Sequence, residues 1–391
     1  MEFGLVSKEM FTVKKLDETK INLDIKIIQF QYNIGKILGV APIKSEGNNK
    51  YKIFKYAYAV CWIFVVFGLM VFTFYTKWKH FYTTVTVHRA ILNGAESLSE
   101  FIFLFRCLLG GLKFDKTNWK CFMDTLNKIE MKLKTENVSV KLNRKLIITE
   151  MLIYHSIFLI LIAYDMCTTS MQLSMLFTHK MCQYYQLFQL IFICKTAKLM
   201  QRRYNFLTQL IKGTFNRSVY VVSKSVDRMM EEKLKNIFSV YQQLYTLSEA
   251  FDAIFGWQIF LILTCTVFSL LNHANAAFLT FKSKQVFDDN LHHYLRNGAL
   301  YPAAYVVAVI FLVMSCDSVE KSGANVIAVC HRKLIYLEKS SIRHDLQTVA
   351  KFMEKLKPSF SAAGFFEINQ YILATIFTSV TTYLIIIIQF E

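Results

Sequence analysis

Long apolar stretches alternate with polar, lysine-rich segments along the chain. Seven of the apolar stretches have about the 20 residues that a helix needs to cross a hydrocarbon core of ~30 Å. They lie at about residues 53–75, 84–111, 146–176, 182–200, 252–281, 299–317 and 366–390. This pattern predicts an all-α membrane protein with seven transmembrane helices.

Lysine and arginine are distributed unevenly between the two sides of these predicted spans. Segments 1–52, 112–145, 201–251 and 318–365 contain nine, nine, eight and eight of them. Segments 76–83, 177–181 and 282–298 contain two, one and three. Positive residues accumulate on the cytoplasmic side, so this difference of 34 against 6 predicts a cytoplasmic amino terminus and an extracellular carboxyl terminus.

The segments assigned to the cytoplasm also have helical periodicity. Proline is absent between residues 223 and 281, and apolar positions recur every three to five residues from Met229 to Phe251. A continuous helix there would measure roughly 85–90 Å, so it should project well below the membrane. Similar extensions follow the fourth and sixth spans, at 195–211 and 318–339. We expect an inner helical bundle that packs subunits together, with solvated single helices as the alternative.

The seventh span is preceded by Pro358 and Gly364, which should separate its cytoplasmic half from its membrane half. We therefore predict a split seventh helix and one large domain at 53–390, after a cytoplasmic amino-terminal region at 1–52. Within that domain, the predicted cytoplasmic anchor segments lie at about 201–251 and 318–365, and the terminal membrane helix lies at 366–390.

Composition agrees with a membrane protein and excludes several other classes. Hydrophobic residues make up 54% of the 391 positions, and only three are proline. The net charge of +17 does not indicate nucleic acid, because the basic residues lie in the gaps between apolar runs. Nine scattered cysteines, without a CxxC motif or a histidine cluster, predict neither a metal site nor a disulfide framework. No cofactor is expected.

Two carboxylates interrupt the second span. Glu96 and Glu100 are one helical turn apart, and a charge at membrane depth costs ~2.5–3.5 kcal/mol unless it pairs or faces water. We expect both side chains to face a common interior cavity or partner. A purely structural polar network remains open as the alternative.

The outward halves of the later spans carry aromatic and amide side chains that suit a ligand pocket. Such groups can stack on a small organic molecule and hydrogen-bond it. The candidates are Tyr164, Asp165, Gln183, Tyr184, Asn272, His273, Asn275, Tyr301 and Tyr305. The alternative for each is an ordinary position in the interior of a helical bundle.

The terminal helix carries a polar stripe on an otherwise apolar sequence. Spacings of three and four residues place five positions on one face: Thr375, Ser379, Thr382, Ile386 and Gln389. In a membrane such a face should point at protein or water, because an unpaired polar group in hydrocarbon costs several kcal/mol. The stripe predicts a pore lined by several subunits, with Phe390 beside Gln389 at its outer end.

The same segment resembles the seventh-helix signature of insect gustatory receptors. Thr382-Tyr383, five aliphatic residues and Gln389-Phe390 match its fixed identities and spacing, and residues 362–369 also look like that family. The resemblance implies a multi-pass plasma-membrane protein that assembles as a homotetramer or, with related receptors, a heterotetramer. It also implies a channel for monovalent cations, with calcium left open, that a small-molecule tastant opens. Leu384 stands where receptors for sugars other than fructose tend to carry Glu, which leaves bitter, fructose-type or orphan receptors.

Competing classes fit less well. A membrane enzyme of the histidine-box type is not favoured, because Leu291-His292-His293-Tyr294 stands alone in a predicted outer loop. Neither a phosphate-binding loop nor a nucleophile elbow is present, so no catalytic residue is predicted. The nearest rival is an odorant-receptor-type channel subunit, and the next is a seven-helix receptor or transporter without its own pore. The expected partners are tastant, membrane lipid and cations, and not nucleic acid.

Overall fold

The computed structural model describes residues 22–41, 49–79, 87–110, 116–135, 173–215, 224–282, 289–337 and 341–390, with a few single positions between 149 and 163. Its helices are α1 Asn22–Ile37, α2 Asn49–Lys77, α3 Val87–Leu109, α4 Lys116–Thr135, α5 Leu173–Thr214, α6 Lys224–Lys282, α7 Asp289–Tyr336, α8 Ser341–Lys355 and α9 Gln370–Phe390. A short antiparallel hairpin of β1 Ser361–Ala362 and β2 Phe366–Glu367 separates α8 from α9.

Six of the seven predicted spans overlap helices α2, α3, α5, α6, α7 and α9. The third span, at 146–176, lies largely outside the described residues. Among the described residues, two helices contain stretches that are long and apolar enough to cross a membrane, at 60–77 in α2 and at 228–275 in α6. The apolar stretch at 370–386 in α9 is shorter. The count of seven membrane spans therefore stays a prediction.

The long inner helices agree with the sequence periodicity. The helix expected at 223–281 is observed as α6, which has 59 residues. The inward continuations of the fourth and sixth spans are the second halves of α5 and α7, which pack closely against each other. Pro302, which looked like a break in the sequence, lies within α7 and does not end it. Helix α1 was not anticipated in the amino-terminal region.

Large aromatic rings pack together where α4, α5 and α6 meet. Trp119 on α4 packs against Phe192 on α5 at 5.4 Å and against Phe255 on α6 at 5.6 Å, measured between ring centroids. Tyr32 of α1 lies 4.9 Å from the same tryptophan. These rings are the kind of large buried surface that dominates packing energy. They join the amino-terminal helix to the bundle.

Candidate pore face and polar cluster

The polar stripe of α9 lies on the outward side of its helix. Thr375, Ser379, Thr382, Ile386 and Gln389 are all exposed. Much of this face lines an open groove of about 650 Å³ together with Tyr371 and Tyr383. The Thr375 hydroxyl donates to the carbonyl of Tyr371 at 3.1 Å, so it is satisfied within the helix. The side chain of the sixth pore candidate, Phe390, lies outside the described residues.

A neighbouring face of α9, about 100° around the helix from Thr375, is apolar and packed. Ile376 is buried, and Val380 and Tyr383 pack on Leu92 of α3 and Leu271 of α6. The helix therefore has one side attached to its own bundle and a polar stripe on the side that the bundle leaves open.

The hairpin before α9 is held by carboxylates from two long helices. Asp252 on α6 accepts hydrogen bonds from the backbone N–H and the hydroxyl of Ser361, at 2.9 and 2.6 Å. Glu320 on α7 accepts the N–H of Phe360 at 3.0 Å. Burial raises the pKa of Glu320, and the Phe360 N–H opposes that shift because it favours the charged carboxylate. Because both carboxylates bind the hairpin, a movement of α6 or α7 would also move the start of α9.

Glycines allow the backbone of this region to approach those helices closely. A Cβ at Gly323 of α7 would lie 2.5 Å from Cγ of Pro358. At Gly256 of α6, it would lie 3.2 Å from backbone atoms of Ser361 and Ala363. Gly364 has φ +79°, which favours glycine at this turn.

The seventh span does not start as a helix at 366 as predicted, because β2 occupies 366–367 and α9 begins at Gln370.

A second link joins α9 to α7. The amide of Gln370 donates to Asp317 at 3.1 Å, and Lys321 forms an ion pair with the same carboxylate at 2.5 Å. Asp317 and Asp252 were not singled out from the sequence. An acidic residue at the edge of an apolar run is the signal that marks both, since such a group needs a partner.

The predicted ligand residues whose helices are described lie on three of them, with Tyr301 and Tyr305 on α7 and the other five on α5 and α6. Gln183 and Tyr184 lie on α5, and Asn272, His273 and Asn275 lie on α6. None of these five lines the described cavity between α2, α3 and α5. Tyr164 and Asp165, and the side chains of Tyr301 and Tyr305, lie outside the described residues. A single pocket formed by all nine is therefore still a prediction.

Several of these side chains have partners within the protein. Asn272 donates to Glu96 at 2.6 Å. The Gln183 amide lies 2.8 Å from His179 and accepts from Lys180 at 3.0 Å. His273 lies 2.7 Å from the backbone carbonyl of Ser269. These contacts favour a structural role for the three predicted ligand residues.

Asn275 differs from its neighbours. Its side chain is completely buried, and neither its amide nitrogen nor its amide oxygen has a hydrogen-bond partner among the described residues. A buried polar group without a partner costs about 1–3 kcal/mol. Among the predicted ligand residues, Asn275 is therefore the one whose hydrogen bonding would improve most when a molecule binds.

The two span carboxylates do not share one partner. Glu96 is buried and accepts from Asn272 on α6, whereas Glu100 is buried and lies 3.2 Å from His179 on α5. The two carboxylates therefore have different direct partners, which agrees with the alternative of a structural polar network. A cavity shared by both side chains stays a prediction. Because the two side chains are one turn apart on α3, each reaches a different neighbouring helix. Among the described residues, no group of three or more His, Cys, Asp or Glu side chains could hold a metal ion.

Comparison with known proteins defines the class. The family model described as "7tm Chemosensory receptor" matches residues 28–391. The chain belongs to this chemosensory receptor family, whose members are membrane proteins. It is similar to putative gustatory receptor 28b of Drosophila melanogaster, at 31% identity over 86 residues. That alignment covers 22% of this chain and only 18% of the relative.

Solved structures show a similar fold. The insect olfactory receptor OR5 from Machilis hrabei in complex with eugenol matches with a TM-score of 0.60 and 14% identity. That match covers 95% of this chain and all of the other. The structure of OR5 described without a ligand gives a TM-score of 0.55 and 15% identity, covering 94% and 98%. At these identities the similarity concerns the fold alone.

Proposed function

We propose that this chain is a subunit of a tastant-gated, non-selective cation channel in the plasma membrane. The observation that carries this proposal is the exposed polar stripe of α9, because a lone subunit would present it to lipid. Four subunits that place α9 at a common axis would turn the hydroxyl and amide groups toward water. A ring of Ile386 would obstruct ions by dewetting, and the Gln389 amides beside it would contact partly hydrated cations.

The inner ends of the long helices supply a surface for assembly. Met229 on α6, Ile335 on α7 and Phe352 on α8 are 51%, 76% and 50% exposed. Their position agrees with anchor segments at 201–251 and 318–365 that pack subunits together below the membrane. The partners would be further copies of this chain or related receptors.

Topology gives the first test. We expect an epitope after Glu391 to be labelled on intact cells, and an epitope inserted between residues 218 and 219 to require permeabilisation. The reason is the excess of basic residues on the side assigned to the cytoplasm. Surface biotinylation controls for expression. The reverse labelling pattern would contradict the proposed orientation of α9 and with it the pore.

The ligand is proposed to be a small organic molecule bound in the outward half of the bundle. The eugenol complex of OR5 supports this chemistry by analogy of fold, and the buried amide of Asn275 offers it a donor and an acceptor. Recording agonist-evoked current from cells that express this chain alone, against sugars and bitter compounds, tests the function. Absence of any evoked current, with the protein at the surface and a related receptor co-expressed, would overturn it.

A substitution at Asn275 tests the pocket. We expect Asn275→Leu to raise the half-activating agonist concentration by about tenfold or more, since a hydrogen bond to a ligand is lost. The maximal current and surface expression should be unchanged. Ser269→Ala, one or two turns earlier on α6, is the matched control. Identical dose-response curves for Asn275→Leu and the unaltered chain would exclude Asn275 as a ligand residue.

An odorant-receptor-type channel subunit is the second candidate, favoured by the fold similarity to OR5. Volatile and soluble compounds tested on the same expressing cells separate the two. A response confined to volatile compounds would favour the second candidate. A seven-helix receptor or transporter without its own pore would bind ligand without passing ligand-dependent current.

A further inference from the structure

A cavity outside the predicted ligand cluster lies between α2, α3 and α5. Its volume is about 290 Å³, which is at the lower end of the ~300–1,000 Å³ typical of small-molecule sites. One wall is aromatic, with the rings of Phe67 on α2 and Phe101 on α3 at 5.9 Å. The polar end is formed by Lys77, Ser97, Glu100 and His179. Of these residues, only Glu100 was singled out from the sequence.

The cavity opens sideways between α2 and α3. Phe67, Val71 and Leu98 at its mouth are 47%, 52% and 58% exposed. If α2 and α3 cross the membrane as proposed above, these apolar side chains face hydrocarbon. A molecule would then enter from the lipid phase, so it must itself be largely apolar.

The polar end contains one ammonium, that of Lys77, and one carboxylate, that of Glu100. The ammonium of Lys77 donates to Ser97 at 2.7 Å and to Asn93 at 3.3 Å. Both acceptors are neutral, and Lys77 forms no ion pair within the described part of the chain. An ammonium has three donors, so one remains. The carboxylate of Glu100 lies 3.2 Å from His179, which leaves Lys77 as the group suited to an external anion.

We propose that this cavity binds a long-chain fatty acid, with the carboxylate on Lys77 and the alkyl chain along α2 toward Phe67. The ten residues from Lys77 to Phe67 span about 15 Å of helix. That distance is half of the ~30 Å hydrocarbon thickness, the depth that one leaflet of acyl chains covers. A single-chain acid, with one negative charge, matches both the single ammonium and the narrow cavity.

The test uses the full chain purified in detergent and a palmitic acid analogue that carries a diazirine in its alkyl chain. Illumination should attach the probe to peptides of α2 and α3 between residues 67 and 101. Palmitate should compete with labelling, whereas methyl palmitate should compete roughly tenfold to a hundredfold less well, because the charge-assisted hydrogen bond is lost. Equal competition by the methyl ester would overturn the proposal. Stronger competition by palmitoyl lysophosphatidate than by palmitate would overturn the assignment to a free acid.

Substitutions of residues that line the cavity test whether the probe binds there. Lys77→Met should weaken labelling by a similar factor, and Lys79→Met, two positions further on, is the matched control. Met70→Trp should also reduce labelling, because it fills the cavity and keeps the charge. Retention time on size-exclusion chromatography checks folding of each variant. Equal loss for Lys77→Met and Lys79→Met would contradict a specific site. Binding at this site does not require ion conduction. If the chain is labelled but passes no current, the proposed channel function is refuted and the proposed fatty-acid site is not.

Discussion

Ile386→Ser should produce a current in the absence of agonist. If the Ile386 side chains bury one another only in the closed pore, each loses about 1.5–3 kcal/mol of apolar burial on substitution. Since about 1.4 kcal/mol changes an equilibrium tenfold, the closed state should lose at least roughly tenfold in population relative to the open state. The serine hydroxyls would also hydrate the constriction. Whole-cell current before and after agonist, normalised to surface expression, measures the effect.

Neighbouring positions on α9 provide matched controls. Ile385 is also exposed, at 51%, but it points about 100° away from Ile386. It continues the exposed face that carries Phe377 and Thr381. Ile385→Ser should therefore leave the agonist-free current unchanged. The adjacent threonines give a second pair, in which Thr382→Val should lower conductance and Thr381→Val should not. A larger leak from Ile385→Ser than from Ile386→Ser would show that the pore face was assigned to the wrong side.

Breaking the buried ion pair between Glu130 on α4 and Arg203 on α5 should strongly destabilise the helical bundle. The two side chains are only 5% and 3% exposed and are in direct contact. Arg203→Met should lower stability by about 3–5 kcal/mol, because it removes the guanidinium that contacts a buried carboxylate. The melting temperature of the detergent-purified chain should fall by on the order of 10 °C. Thermal size-exclusion chromatography measures that shift.

Two comparisons distinguish this effect from simple loss of contacts. The double variant Arg203→Met with Glu130→Met should recover most of the loss, since apolar replacement of a whole buried pair is often neutral or stabilising. Glu354→Gln breaks the exposed pair with His331 and should cost at most about 1 kcal/mol. A double variant that is less stable than Arg203→Met alone would contradict the electrostatic explanation.

Helices in which apolar or polar residues recur at a regular spacing could be predicted well from the sequence. Helix α6 follows from an apolar repeat without proline, and the stripe on α9 follows from spacings of three and four residues. Both features depend on neighbours along the same helix, which the sequence contains directly. The hairpin before α9 was missed because its strands have two residues each, too few for a period to appear.

Partners across helices could not be predicted in the same way. Glu96 and Glu100 share a helix face by spacing, yet they contact α6 and α5 respectively, because the packing of α3 between those helices separates them. Asn272 and Asn275 looked alike as ligand candidates. Only their surroundings differ, since Asn272 reaches a carboxylate and Asn275 has no hydrogen-bond partner among the described residues.

The sequence by itself determined the helical class, the long inner helices, the polar stripe of α9 and the resemblance to gustatory receptors. All of these depend on the order of residues within single segments. Only the tertiary structure decided that Asp252 and Glu320 bind the hairpin, that Arg203 pairs with Glu130, and that Lys77 lines a cavity between α2, α3 and α5. Such contacts join residues tens to more than a hundred positions apart, and they form only when packing of the apolar faces brings the helices together.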